Sequence, residues 1–157
     1  KPNQVWQIDI TYIPMKNGFM YMTAVIDVYS RYIVGWGISN SLDASESLKV
    51  VKEAIKIHGK PEILNSDQGT QFSCKSYVEY LKKEEIKISM DGKGRCLDNI
   101  FIERFWRTIK YQHIFLNPAK DGLDLYLGIQ KWLQRYHNRG HQGIELKKPA
   151  EKYILAA

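Results

Sequence analysis

The chain has 157 residues, of which 44% are hydrophobic and 25% charged. That is enough for one globular domain with a real core and too apolar for a disordered segment. A formal charge of +6 favours a polyanionic partner. Membrane-spanning and secreted disulfide-rich classes are disfavoured: no apolar run reaches about 18 residues, no signal peptide is visible, and the two cysteines, Cys74 and Cys96, have no CxxC spacing.

In Val5–Ile13, Trp6, Ile8, Ile10 and Tyr12 alternate with Gln7, Asp9 and Thr11. That period of two predicts a strand with Asp9 on its polar face. Asn17-Gly18 predicts a hairpin turn, and the nearly apolar Phe19–Val28 a buried central strand. Arg31–Ser39 reads as a third strand. The period then changes. Asp43 with Glu46 fits a capping box, Leu48, Val51, Ile55 and His58 follow one helical face, and Gly59 marks the stop.

Pro61 leads into a short strand, Glu62–Ser66, which is followed by a helix from Ser73 to Glu85 and a fifth strand from Ile86 to Met90. Asp91-Gly92-Lys93-Gly94-Arg95 has the composition of a mobile loop. From Asp98 a helix is expected to about Phe115, with Ile102, Phe105, Trp106, Ile109 and His113 as its apolar stripe. Glu103, Arg107 and Lys110 share another face. A last helix, about Gly122 to His137, is expected to bury Tyr126, Ile129, Trp132, Leu133 and Tyr136. The order predicts an α/β layered fold with a mixed sheet.

Three carboxylates stand where they could meet. Asp9 lies within the first strand, Asp67 follows the fourth, and Glu103 lies near the start of a helix, with 35 residues between it and Asp67. Ligand sites in α/β sheets gather outside strand ends. Clustered carboxylates repel unless a cation lies between them, and hard oxygen donors suit Mg²⁺. A pair of divalent ions about 3.5–4 Å apart can activate a water or a 3′-hydroxyl against a phosphodiester and stabilise the leaving oxygen. From Glu103 to Ala157 ten Lys/Arg stand against five Asp/Glu, whereas Pro61 to Ile102 holds six and seven. The basic surface therefore begins where the third carboxylate does, and Arg107 and Lys110 could hold phosphates beside the metals.

At these residues the chain becomes recognisable. Trp6-Gln7-Ile8-Asp9-Ile10-Thr11-Tyr12 resembles the opening strand of the integrase core domain of DDE transposases and retroviral integrases. Asn65-Ser66-Asp67-Gln68-Gly69-Thr70-Gln71-Phe72 is similar to the second-aspartate motif, and Asp98 to Lys110 to the glutamate helix of bacterial insertion-sequence transposases. The gap of 35 residues is the family spacing, and the resemblance runs from Trp6 to about Tyr153.

The resemblance implies an RNase H-like fold, with a five-stranded mixed sheet and Asp9 and Asp67 on adjacent strands. It implies that Asp9, Asp67 and Glu103 are catalytic and bind Mg²⁺ or Mn²⁺, as two ions. It implies DNA cleavage at transposon ends and attack of a 3′-hydroxyl on target DNA, by a homodimer or higher multimer in the bacterial cytoplasm. The residues 1–157 read as one catalytic core cut from a longer protein, without the N-terminal DNA-binding region. Two alternatives are an RNase H-like nuclease that only hydrolyses and a non-catalytic DNA-binding module from a decayed element.

Smaller features carry less. Asp27 in Asp27-Val28-Tyr29-Ser30-Arg31 reads as a structural partner of Ser30 or Arg31. Gln68, Gly69 and Asn99 flank the carboxylates and either orient them or contact DNA. Lys93, Arg95 and Arg139 are further DNA-contact candidates. His137 and His141 have a zinc-like i, i+4 spacing, but Gly140 interrupts the helix and no cysteine pair is near, so metal binding is not expected there. The tryptophans are expected in the core.

Overall fold

The computed structural model describes residues 1–90 and 99–155. Lys93 and Arg95 lie outside the described residues. The strands are β1 (Val5–Pro14), β2 (Phe19–Asp27), β3 (Ile33–Ser39), β4 (Ile63–Ser66) and β5 (Lys87–Met90). They form one sheet in the order β3-β2-β1-β4-β5. The first three strands are an antiparallel meander, while β4 and β5 run parallel to β1. The sheet is mixed, as expected.

Helices cover both faces. On one side, α1 (Ala44–His58), α2 (Thr70–Ser73) and α3 (Lys75–Lys83) enclose a core of Trp6, Ile8, Val25, Val34, Val51, Leu64 and Leu81. On the other, α4 (Ile100–Ile109) and α5 (Gly122–His137) pack on Ile13, Met22, Ala24 and Ile26. The chain closes with α6 (Pro149–Ile154), whose Tyr153 hydroxyl donates to Asn3 Oδ1 at 2.7 Å and so ties the two ends of the chain together. The caps are those the sequence calls for: the Asp43 side chain accepts from Ser45 N, and Gly59 takes a positive φ of 79° at the end of α1.

Several expectations are corrected. The helix expected from Ser73 to Glu85 forms as α3 but starts only at Lys75, because Cys74 adopts an extended backbone (φ −67°, ψ 150°), and a short helix not expected from the sequence, α2, precedes it. The helix expected from Asp98 to Phe115 gives way at Lys110 to a π-helical turn, Lys110–Ile114. The added residue per turn moves the next core position from His113, which is only half-buried, to Ile114. In α5, Tyr126 is 40% exposed and Leu125 is buried in its place; Tyr126 instead stacks on Trp36 at 4.8 Å.

The polar face of β1 is also covered. Gln7 is 3% exposed because α4 lies across it, whereas Tyr12, on the supposedly apolar face, is 60% exposed at the hairpin end, edge-on to Phe19. Alternation therefore separates two helical layers here, not core from solvent.

Candidate active site

Strand β4 pairs with β1 only from Val5 to Gln7 and ends at Ser66. Beyond that point one edge of β1 is open, and a groove of about 170 Å³ forms there. Asp9 and Asp67 both line it, with Thr11, Tyr12, Leu42 and Gln71. The parallel pairing is what brings two aspartates 58 positions apart in the chain to one place.

Helix α4 is fastened along β1 by three successive residues of one face. Gln7 Oε1 accepts from the backbone N–H of Phe101 and Ile102, at 3.2 and 3.1 Å, which satisfies two of the N-terminal donors a helix leaves open. Asp9 Oδ2 accepts from Trp106 Nε1 at 3.0 Å. Thr11 Oγ1 accepts from Lys110 Nζ at 2.7 Å. Glu103, exposed on the same helix, is thereby carried toward Asp9.

The electrostatics record that approach. The Asp9 carboxyl is pushed up from 3.8 to about 6, first by burial, then by the negative charges of Asp67 and Glu103, against the lowering effect of hydrogen bonds from Ile10 and Trp106. Burial lowers the Lys110 ammonium, and the charge of Asp9 opposes that. Among the described residues no three His, Cys, Asp or Glu side chains close on a single point. Asp67 and Glu103 are nevertheless both within electrostatic reach of Asp9.

Asp67 is held from its own loop. Gly69 N–H donates to its Oδ1 at 2.8 Å, and a Cβ on Gly69 would sit 2.8 Å from that oxygen and 2.6 Å from Gln71 Oε1. A side chain at position 69 would therefore have to displace the Asp67 carboxylate or the Gln71 amide. Of the other candidates, Asn99 is 4% exposed and accepts from Asn65 Nδ2 at 3.5 Å. Arg107 is exposed, and Arg139 lies over Trp132 and Tyr136 with a hydrogen bond to Gln112.

Asp27 is structural. Buried completely, it accepts from Asn3 N, Ser30 N and Ser30 Oγ. His137 Nε2 accepts from Ile33 N and the ring stacks on Tyr32 at 3.9 Å, while His141 Nδ1 accepts from Gly143 N. Both imidazoles are thus engaged in the protein's own hydrogen bonds. Trp106, Gln7 and Gln71 are site residues that sequence reasoning did not assign. Trp106 reads as core because its indole body is core; only its Nε1–H reaches the site.

The Integrase core domain profile matches residues 1–96, and a second profile of the same description matches residues 84–149. The chain belongs to the integrase core domain family. This integrase core is 35% identical to the transposase for insertion sequence element IS904 of Lactococcus lactis subsp. lactis (strain IL1403), over 97% of the chain and 62% of that protein. It is 34% identical to transposase InsF for insertion sequence IS3A of Escherichia coli (strain K12), over 72% of the chain and 40% of that protein. The integrase core thus spans between two fifths and two thirds of those relatives.

In fold it is similar to the HTLV-2 integrase catalytic core domain solved in complex with magnesium. The TM-score is 0.78 at 22% identity against the trimeric form, covering 97% of both chains. The RNase H-like fold that the sequence motifs implied is the one observed. No helix among the described residues is long and apolar enough to cross a membrane.

Proposed function

We propose that this integrase core cleaves DNA at the ends of a bacterial insertion sequence and joins the freed 3′-hydroxyl to target DNA, as the catalytic part of a transposase. One observation carries the reading: Asp9 and Asp67 share a groove at the open edge of β1, with the charge of Glu103 close enough to raise Asp9. The relatives named as insertion-sequence transposases support it.

The donors fit a divalent cation. They are three hard carboxylates, one of them driven up to about 6 by burial and by its charged neighbours, a cost that a bound cation removes. Asp9, Asp67 and Glu103 would hold Mg²⁺ or Mn²⁺, in our reading as two ions. When bound, such ions activate the attacking oxygen and neutralise charge on the leaving one. The chain's own part is to set the ligands in advance. Trp106 fixes Asp9, Gly69 N–H fixes Asp67, and Gln7 anchors the helix that bears Glu103. Lys110, held by Thr11 beside Asp9, supplies a positive charge for a phosphate at the groove. The active species would be a homodimer or higher multimer acting on chromosomal DNA in the bacterial cytoplasm.

The test is Mn²⁺ titration by calorimetry of wild type and Asp67→Asn, with nicking and strand transfer followed on a labelled duplex bearing a free 3′-hydroxyl. Metal binding, nicking and joining should all be lost in the variant. Nicking that survives the substitution refutes the site. Nicking without joining, in wild type, would assign a hydrolase instead.

A further inference from the structure

Along α4 a second groove of about 730 Å³ runs between that helix and the segment that follows α5. Arg104, Arg107, Arg139 and His141 line it, together with Gln112. Among the described residues no carboxylate and no Phe, Tyr or Trp lines it. Every ion pair among the described residues is made by a lysine, so none of these arginines has an acidic partner there. Arg139 is braced over Trp132 and Tyr136, and Arg31, 3.8 Å over the Phe101 ring, adds charge from behind. The groups feel one another: after burial, Arg104 is the positive neighbour that lowers Arg31, and Arg31 and Arg139 lower His141.

The structure also separates two residues that the sequence placed on one face. Lys110 turns to Thr11 and lies 5.5 Å over Tyr12, on the carboxylate side, while Arg107 lines the second groove.

We infer that the groove formed by Arg104, Arg107, Arg139 and His141 binds the phosphate backbone of duplex DNA, independently of the metal site. Guanidinium groups without acidic partners match phosphate oxygens in charge and in bidentate geometry. Among the described residues the lining of this groove offers no Phe, Tyr or Trp face for stacked bases, which favours a duplex over a single strand. The inference rests on the reading of the chain as a DNA enzyme, but its binding step needs neither metal nor turnover.

The experiment is anisotropy of a fluorescent duplex across a salt series in EDTA, with wild type, Arg104→Gln/Arg107→Gln, Arg104→Lys/Arg107→Lys and Gln142→Glu. Each phosphate no longer neutralised by an arginine should reduce the slope of log K against log salt by about 0.9, so the double glutamine variant should drop by about 2. The lysine variant should keep the slope. Gln142→Glu, which adds a carboxylate to the lining without touching α4, should weaken binding. Lys56→Gln, an exposed charge on α1 in the opposite layer, should change nothing. Thermal melting controls for the fold.

An unchanged slope in the glutamine variant, an equal loss in Lys56→Gln, or tighter binding of the single strand overturns the groove. If wild type nicks DNA while the glutamine variant keeps its full slope, the groove fails and the catalytic reading stands. If the variant loses slope and wild type never nicks, the reverse holds. A wild type that binds no duplex refutes both.

Discussion

Asp9→Asn should make the protein more stable while abolishing its chemistry. In the folded chain the Asp9 carboxyl titrates at about 6, against an unperturbed 3.8, because it is buried beside two other carboxylates. A group raised in this way favours the folded state fully below the unfolded pKa. That advantage is lost as pH rises from about 3.8 to about 6. The rise is about 2 pH units, at about 1.4 kcal/mol each, so ionised Asp9 costs about 3 kcal/mol at neutral pH. Asparagine removes that cost but accepts a weaker, uncharged hydrogen bond from Trp106, a loss of about 1 kcal/mol. The net gain should be about 2 kcal/mol above pH 7, or about 4–8 °C in melting temperature for a chain of this size.

Urea denaturation of both proteins between pH 3.5 and 8, in EDTA, reads this directly. The variant should be ahead at pH 8 and level or slightly behind at pH 3.5. Added Mn²⁺ should close the gap at pH 8, since a cation bound to the folded wild type stabilises it alone. A variant that is less stable than wild type at pH 8, or a difference that does not change with pH, would refute the claim that burial and repulsion strain the ionised Asp9.

Other consequences follow from the same contacts. Trp106→Phe removes a donor to a charged oxygen, a contact of about 1.5–3 kcal/mol, so the pH at which Mn²⁺ begins to bind should rise by about 1 unit or more in calorimetric titrations. Gln7→Ala leaves two N–H groups at the start of α4 without their acceptor and should cost about 1–3 kcal/mol in chemical denaturation, with nicking reduced because Glu103 rides on that helix. Burial, together with the positive charge of nearby His58, holds His137 down at about 4, below its ordinary 6.5. Neutral His137 therefore supports the fold above pH 6.5, and that support fades as pH falls toward about 4; His137→Gln should show a flatter acid limb in pH-dependent denaturation, at lower overall stability.

Much of the architecture was legible in local pattern. The period-two run at Trp6–Tyr12, the Asn17-Gly18 turn, the Asp43 cap and the Gly59 stop each name their structure through the chemistry of a few adjacent residues, and each forms as expected. The three carboxylates were legible as candidates in the same way, since their motifs and spacing are properties of the chain. Local pattern fails where the deciding contact is distant. The short helix Thr70–Ser73 and its break at Cys74 were not expected, and a π-helical turn moves the buried position from His113 to Ile114; nothing in the neighbouring side chains announces either.

The site shows the same division. By itself the sequence determined which oxygens could hold a cation and that the C-terminal third is basic, because residue type sets charge and ligand hardness. Tertiary structure alone decided that the polar face of β1 is roofed by α4, that an indole of the core steadies Asp9, and that Lys110 turns to Thr11 while Arg107 lines a different groove. The reason is physical: side-chain chemistry travels with the residue, whereas burial, repulsion between carboxylates and the partner of a hydrogen bond exist only once distant segments have packed.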